Sequence, residues 1–412
     1  METIIAFDVV KEMNEIGNQL SFSKRLGLFF GAGTSMALGI PGIIPLTSMV
    51  QETLADGYSQ NLEKVVNDLK TENQDNPNIE DILNQIRLIR QITKEKPNKN
   101  YGGINGQEAK ELDTAICYKI YEVLSNKEDE ITSNENNKLK ITEKFFAWFN
   151  LLGIEYEKEI FTTNYDLIFE KALENLHLPY FDGFVGAYKP FFLPESLEAK
   201  DSKESPPLSW FRLWKMHGSL GWFWERNFEK QMNKVIRLGV QAKEMNEIRD
   251  EQKELVIYPS REKYESSRKQ PFISYFDRFK RFLSKGEGIL LISGYSFGDE
   301  HINELIFSAL RQNNRLHVIA FLYKDEEIEK IKDQVLLYLN MSVFSPKKGI
   351  ISGELGDWKL DTNVEDNIIS TIWESQTKSL KLGDFKNLVD FLVASSGKRQ
   401  IIDESVEGRN EE

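Results

Sequence analysis

The sequence has little cysteine and no excess of positive charge. Cys117 is the single cysteine among 412 residues, so no disulfide can form within the chain and no zinc site can be built from several cysteines. Lys and Arg number 52 against 65 Asp and Glu, which gives a net charge of −13. This charge argues against broad nonspecific binding to nucleic acid or anionic lipid, although it leaves room for a local basic groove.

Long hydrophobic runs are also missing. The longest, such as Leu26–Phe30 and Gly288–Ile292, fall far below the roughly 20 residues that a membrane-spanning helix needs. The first eleven residues lack the basic start, apolar stretch and cleavage site of a signal peptide. We therefore expect a cytoplasmic protein without membrane contact. Hydrophobic residues at 40% and charged residues at 28% are ordinary for a folded chain.

Short apolar segments are interpreted as buried strands, and each is followed by a glycine turn, a polar turn or a segment with helical spacing. They are Leu26–Phe30, Glu159–Thr162, Gly288–Ser293 and Leu316–Tyr323, with Leu255–Tyr258 as a fifth candidate. Continuous apolar strands that alternate with helices are typical of a parallel sheet covered on both faces. The pattern predicts an α/β fold with a doubly wound, Rossmann-like parallel sheet.

The rest of the chain is predicted to surround this sheet. Residues 1–45 and 151–330 would form the sheet domain, interrupted by a large helical insertion over residues 46–150. Inside the insertion, residues 126–137 are polar and acidic, which is typical of a linker or an exposed turn. Residues 225–254 are dominated by charged side chains with apolar residues spaced among them, a pattern that predicts a solvated helix.

Residues 331–412 differ in pattern and predict a small α+β extension. Residues 350–360 indicate a hairpin, and Phe385–Ser395 indicates a terminal helix. The acidic tail from Asp403 to Glu412 is expected to be disordered.

The first candidate motif is a glycine turn after the first strand. Gly31-Ala32-Gly33 precedes a predicted helix, and Thr34 and Ser35 add hydroxyl groups. Such glycines let backbone N–H groups approach a pyrophosphate. The six-residue dinucleotide fingerprint is not met, because Met36 stands where its third glycine belongs. A turn that merely connects strand and helix is the alternative.

Two further motifs carry polar side chains that suit a ligand site. Thr163, Asn164 and Asp166 follow the second strand, where ligands of open α/β sheets bind, although Asn164 or Asp166 could instead cap a helix. His217 stands between aromatic residues and Gly-Ser, and a half-buried imidazole suits a general base. A hydrogen-bonded core histidine is the alternative.

The fourth motif is a second turn of glycine and serine, which follows the strand Gly288–Ser293. It matches the nucleophile-elbow pattern G-x-S-x-G with Ser296 as nucleophile, Asp299 or Glu304 as acid and His317 as base. His317 lies in an apolar strand, however, where a triad base would need a loop. A turn that lines a nucleotide fits the same residues better.

Taken together, the motifs occur in a fixed order along the chain. They are Gly31-Ala-Gly-Thr-Ser35 with Gly39-Ile-Pro41, then Thr163-Asn-Tyr-Asp166, His217-Gly-Ser219 and Gly294-Tyr-Ser-Phe-Gly-Asp299. This series resembles the motif set of the sirtuin family, and it is most similar to the sirtuin-like NAD-consuming enzymes of bacterial antiphage defence. The resemblance implies a Rossmann-like fold and NAD as the substrate.

The resemblance also implies roles for single residues and no metal. The residues implied to bind NAD are Gly31, Ala32, Gly33 and Ser35 at the pyrophosphate, and Gly294 and Ser296 at the adenosine end. Thr163 and Asp299 are also implied to bind NAD, without an assigned part of the molecule. Asn164 would contact the nicotinamide ribose and the attacking water, with Asp166 nearby. His217 would act as the base on a ribose hydroxyl.

Two departures from the family pattern bear on the reaction. Sirtuins that remove acyl groups usually follow Gly-Ile-Pro with an acidic residue and Phe-Arg, whereas this chain has Gly42-Ile-Ile-Pro45. They also carry a four-cysteine zinc module, for which this chain lacks the cysteines. Hydrolysis of NAD to nicotinamide and ADP-ribose is therefore favoured. An NAD-dependent protein deacylase and a non-catalytic nucleotide-binding module are the alternatives.

Unrestrained NAD hydrolysis would harm the cell that makes the enzyme. Control by a partner or by homo-oligomer formation is therefore expected. The resemblance suggests a HerA-type motor ATPase as one partner and NAD depletion in antiphage defence as the role.

Overall fold

The structure is a computed structural model of the chain. It describes residues 5–71, 76–133, 137–153, 155–198, 206–227, 232–238, 253–257, 270–360 and 368–407.

Strands and helices are numbered here in chain order. The strands are β1 Ile5–Asp8, β2 Leu26–Phe30, β3 Asn100–Tyr101, β4 Ile104–Asn105, β5 Lys158–Thr162, β6 Tyr180–Phe181, β7 Phe184–Val185, β8 Phe191–Phe192, β9 Phe211–Lys215, β10 Gly218–Asn227, β11 Met232–Arg237, β12 Lys253–Ile257, β13 Gly288–Ser293, β14 Leu316–Phe321, β15 Met341–Phe344, β16 Lys348–Ile351, β17 Glu354–Lys359, β18 Trp373–Glu374 and β19 Ser379–Leu380. The helices are α1 Val9–Phe22, α2 Ala32–Leu38, α3 Ile43–Thr53, α4 Asp56–Thr71, α5 Ile79–Thr93, α6 Gly106–Thr132, α7 Leu139–Asn150, α8 Ile168–Asn175, α9 Phe272–Ser284, α10 Glu300–Gln312, α11 Asp325–Val335, α12 Ile369–Ile372, α13 Phe385–Ser395 and α14 Arg399–Glu407.

A large sheet runs in the order β1-β17-β16-β15-β14-β13-β2-β5-β9-β6. All neighbours from β15 to β6 are parallel. When β2, β5, β9, β13, β14 and β15 are counted in chain order, their positions across the sheet read 3-2-1-4-5-6, the doubly wound order. The predicted fold class is confirmed. The strand order reverses between β2 and β13, so the ligand crevice of this topology lies at the carboxyl ends of these two strands.

The central strands are buried on both faces, and β2 and β13 consist almost entirely of apolar residues, whereas β5 also buries Lys158, Glu159 and Thr162. Every residue of β2 and β5 is buried, and two clusters of aliphatic and aromatic side chains cover the sheet. The predicted strands Leu26–Phe30 and Gly288–Ser293 have the same bounds as β2 and β13. The fifth candidate, Leu255–Tyr258, overlaps β12, which pairs antiparallel with β10 in a different sheet.

That second sheet has the order β12-β10-β11-β8-β7 and its pairs are antiparallel. Phe192 and Trp222 from two of its strands pack their rings against Tyr275 of α9, and Val235 from a third strand belongs to the same buried cluster. The predicted solvated helix over residues 225–254 is wrong where the structure describes it, because β10, β11 and β12 occupy those positions. The neighbouring side chains of Val235 and Ile236 point to opposite faces of β11, as successive residues of a strand do, and both are buried.

The predicted insertion is helical, with α3 to α7 and one short hairpin of β3 and β4. Side chains with spacing of three and four, such as Ile79, Ile82, Ile86 and Ile89, form the buried face of α5. The expected linker over residues 126–137 is wrong in its first part, because α6 continues to Thr132. The buried Glu128 and Ile131 hold that end of α6 against the fold.

The C-terminal residues are less separate than expected. The hairpin predicted near residues 350–360 is present as β16 and β17, but β15, β16 and β17 all join the large sheet. The helix predicted at Phe385–Ser395 has those bounds as α13. The expectation of a disordered tail fails for Asp403–Glu407, which lie in α14, and residues 408–412 lie outside the described residues.

Among the described residues, no single helix has both the length and the apolar character needed to cross a membrane. The bent pair α2 and α3 passes that test only when the two helices are counted together.

Candidate functional site

The crevice between β2 and β13 brings the two glycine turns into contact. The Gly31 N–H donates to the Ser293 carbonyl at 3.0 Å, and the Gly33 N–H donates to the Gly294 carbonyl at 2.8 Å. A Cβ atom on Gly31 would lie 2.4 Å from the Gly294 carbonyl oxygen, and one on Gly294 would lie 2.4 Å from the Thr34 nitrogen. Gly294 also has φ of +66°. Glycine is needed because the two backbones touch.

These bonds change the role expected of the first glycine turn. The N–H groups of Gly31 and Gly33 are engaged within the protein, so they are not free donors for a pyrophosphate in this arrangement. The turn therefore serves the close approach of two loops in addition to joining β2 and α2. Contact of Gly31, Ala32, Gly33 or Ser35 with NAD through other atoms stays a prediction.

Asn164 lies against the first turn of α2, although 130 residues separate them along the chain. Its Nδ2 donates to Thr34 Oγ1 at 3.0 Å and to Ser35 Oγ at 2.8 Å. These hydroxyls donate in turn to the Gly31 carbonyl at 2.8 Å and to Asp166 Oδ2 at 2.7 Å. Since both hydroxyl protons are used, the hydroxyls can only accept from Asn164, which fixes the amide orientation. Asn164 Oδ1 has no hydrogen-bond partner among the described residues.

The capping alternative applies to one of the two residues. Asp166 Oδ1 accepts from the Ile168 N–H at 3.3 Å, so Asp166 does bind the start of α8. The side chain of Asn164 bonds to α2 instead. Thr163 lies beside β2, because its N–H donates to the Phe30 carbonyl at 3.1 Å. The motif after β5 is thereby fastened to the end of β2.

His217 lies just beyond β9 and faces Asp299, the N-cap residue of α10. His217 Nε2 is 3.1 Å from Asp299 Oδ2, and their side chains are 11% and 6% exposed. Asp299 Oδ1 accepts from the His301 N–H at 3.0 Å, which fixes the carboxylate. A carboxylate beside Nε2 favours the tautomer with a proton on Nε2. Nδ1 then carries the lone pair, and it has no hydrogen-bond partner among the described residues.

Asp299 therefore has a contact that the motif analysis did not foresee. It was expected to bind NAD, and in the structure its carboxylate lies against the candidate base His217. The signal for this is the position of Asp299 as a helix cap directly after the turn Gly294–Gly298. Ser296 in that turn is exposed, and its contact with a nucleotide stays a prediction.

Lys215 is a site residue that the sequence analysis missed. This last residue of β9 is 2% exposed, and its Nζ donates to the Asp166 carbonyl, to Glu170 Oε1 at 2.8 Å and to Ser219 Oγ at 3.2 Å. Lys215 thus joins the loop that carries Asn164 to the loop that carries His217. A lysine at the end of a strand with the apolar residues Phe211, Leu213 and Trp214, directly before a Met-His-Gly-Ser run, is the signal that could have found it.

The serine-hydrolase interpretation is wrong. His317 pairs in register with Ile289 near the start of β13, whereas Ser296 lies beyond the other end of that strand. Four residues of rise from Ile289 to Ser293 already separate them by about 13 Å along the strand. His317 Nε2 lies instead 3.1 Å from Ser342 Oγ, and burial lowers the pKa of His317.

Comparisons with known proteins give a family match over part of the chain and matches to solved structures, one of which is described below. Residues 158–343, somewhat under half of the chain, match the SIR2-like domain family. This segment contains Asn164, His217 and Asp299 but not the turn Gly31–Gly33. A solved complex of a mutant Sir2 homologue with 2′-O-acetyl ADP ribose is 13% identical, with a TM-score of 0.43, over 93% of this chain and 96% of that chain. No curated protein sequence matches the chain.

Proposed function

We propose that this protein hydrolyses NAD at the bond between nicotinamide and ribose, with release of nicotinamide and ADP-ribose. The observation that carries the proposal is the pair of oriented, unpartnered acceptors, Asn164 Oδ1 and His217 Nδ1. They stand on the carboxyl side of neighbouring strands β5 and β9, inside the segment that matches the SIR2-like domain. This match supports an NAD-dependent reaction, and the acceptors suit one that uses water.

The proposed reaction needs few covalent steps from the protein. The C–N bond breaks with its electron pair leaving on the pyridine nitrogen, and a water oxygen forms the new bond to C1′ of the ribose. The proton lost by that water goes to solvent or to His217. Developing positive charge on the ribose is stabilised by oriented dipoles, and the amide oxygen of Asn164 supplies one.

The residues fit a ligand of this chemistry. Asn164 cannot rotate without breaking its bonds to Thr34 and Ser35, so it is preorganised to hold a ribose hydroxyl or a water. Asp299 holds the imidazole of His217 in the tautomer that a base needs. We assign NAD contacts also to Asp166 and to Gly294 and Ser296, as the motif series implies.

Water is favoured over an acyl-lysine acceptor because the chain has a single cysteine. A zinc module of four cysteines cannot be built from it. The two reactions differ in their requirements. Hydrolysis releases nicotinamide and ADP-ribose from NAD alone, whereas a deacylase releases acetate from an acetyl-lysine peptide only when NAD is added. Chromatography of both mixtures distinguishes them, and tight NAD binding without turnover under any activating condition would favour a binding module.

The biological role that we propose is NAD depletion in antiphage defence, in the cytoplasm and under the control of assembly. Self-association and a HerA-type ATPase are the two proposed means of control. Mass measurement of the purified protein, alone and mixed with the product of a neighbouring gene, tests them together with NAD turnover in each assembly.

A further inference from the structure

Two carboxylates of the helical insertion accept hydrogen bonds from the loop that follows β5. Tyr165 Oη donates to Glu80 Oε1 of α5 at 3.3 Å, across 85 residues of sequence. The Leu167 N–H donates to Glu128 Oε1 of α6 at 2.8 Å, across 39 residues. These contacts lie on either side of Asp166, which itself bonds to Ser35. The insertion therefore touches the candidate catalytic loop at its backbone and at one side chain.

Glu128 is enclosed at this contact. Its side chain is 3% exposed, and its Oε2 lies 2.9 Å from Lys171 Nζ of α8. Burial raises the pKa of Glu128 to about 7, with the negative charge of Asp166 adding to the rise and Lys171 opposing it. Burying a carboxylate to this extent costs folding free energy. A buried group that is retained at such a cost, with a hydrogen bond to one backbone N–H, indicates a role for that hydrogen bond.

We propose that Glu128 is a positioning residue, through which the helical insertion sets the placement of Asn164 and Asp166. This inference rests on the proposed hydrolysis of NAD. It adds that the insertion governs turnover through a defined hydrogen bond.

The two sides of the loop explain why this contact matters. From the sheet side, Lys215 and Ser35 hold the carbonyl and the carboxylate of Asp166. From the insertion side, Glu128 accepts the N–H of Leu167, the residue that directly follows Asp166. A shift of α6 therefore moves the loop against a fixed sheet, and a misplacement of about 1 Å can cost about 100-fold in rate.

The chain offers matched variants on α6. Glu128→Ala removes the acceptor, Glu128→Gln keeps a carbonyl oxygen in its place, and Glu130→Ala changes a side chain two residues away that is 63% exposed. Each purified full-length variant is assayed for kcat and KM with NAD. Thermal melting and amide hydrogen exchange over residues 163–168 are measured on the same samples. Tyr165→Phe, which deletes one hydroxyl, tests the contact with Glu80 without opening a cavity.

We expect Glu128→Ala to lower kcat about 10-fold or more with KM within about twofold, and to speed exchange at the Leu167 amide. Glu128→Gln should recover kcat to within about threefold, and Glu130→Ala should match the wild-type protein. Equal kcat and equal exchange in Glu128→Ala and Glu130→Ala would overturn the inference, as would a glutamine variant as impaired as the alanine variant. If the wild-type protein releases no nicotinamide, the proposed function fails, and an exchange rate at Leu167 that is unchanged in Glu128→Ala overturns the positioning role separately.

Discussion

The carboxyl edge of the large sheet and the helical insertion hold the same loop in different ways. At the sheet edge, Ser35, Lys215 and Asp299 each lie within a few residues of a strand end, so topology alone brings them to the site. In the insertion, Glu80 and Glu128 reach the loop from the first turn of one helix and from the far end of another. The difference suggests that the sheet supplies the chemistry and the insertion supplies the control.

Removing the charge of Lys215, the buried cation at the carboxyl edge of the large sheet, should have the largest effect on stability. Lys215→Met leaves the buried Glu170 carboxylate without its ion pair and frees the loops on both sides. An unpaired buried charge costs about 3 to 5 kcal/mol of unfolding free energy, measurable by urea denaturation. Burial already raises the pKa of Glu170, so the double variant with Glu170→Gln should recover part of the loss. If Lys215→Met costs no more than Lys386→Met at an exposed position, the sheet edge does not depend on this cation.

Changing Asp299, the partner of the His217 imidazole, should lower kcat with little change in stability. In Asp299→Asn, Oδ1 can still cap α10, but the amide would donate to Nε2 of His217 and move the ring proton to Nδ1. The base would then lack its lone pair, and kcat should fall about 100-fold. Steady-state assays beside a melting curve separate the two effects. An unchanged kcat at an unchanged melting temperature would show that Asp299 does not set the tautomer.

A smaller effect on the free energy of unfolding should come from Glu128 of the helical insertion, and this effect should depend on pH. The folded-state pKa of Glu128, about 7, lies above its ordinary value of 4.5 because burial disfavours the charged form. This group therefore favours folding below pH 4.5, and that contribution is lost as the pH rises through 7. Glu128→Gln should gain on the order of 1 kcal/mol relative to the wild-type protein between pH 5 and pH 8, by urea denaturation at each pH. A difference independent of pH would contradict the buried, titrating carboxylate.

The sequence was a good guide where local pattern and final environment agree. Continuous apolar runs predicted β2 and β13 to the residue, because both faces of those strands are buried. The doubly wound order then follows from strands alternating with helices, and it places Asn164 and His217 near the same edge. The cap position of Asp299 after a strand places it at this edge, but its pairing with His217 also needs the order of separate strands across the sheet, which no local pattern contains.

Other features were hidden from the sequence for physical reasons. Glu128 stands among Asn, Lys, Asp and Glu residues that indicate solvent, and its burial depends on α8 and the loop after β5 packing against it. The second sheet was missed, although Leu255–Tyr258 overlaps its strand β12, because the segment that contains the end of β10 and β11 is rich in charged residues. Its antiparallel strands need only one apolar face, so their pattern resembles that of an amphipathic helix over a few residues.

The most direct test of the central claim is release of nicotinamide from NAD by three purified proteins. The wild-type protein and His177→Ala, which changes an exposed turn residue, should release equal amounts of nicotinamide and ADP-ribose at the same rate. His217→Ala should lose activity by about 100-fold or more. Turnover by His217→Ala at the wild-type rate, or no nicotinamide from the wild-type protein in any assembly state, would contradict the account.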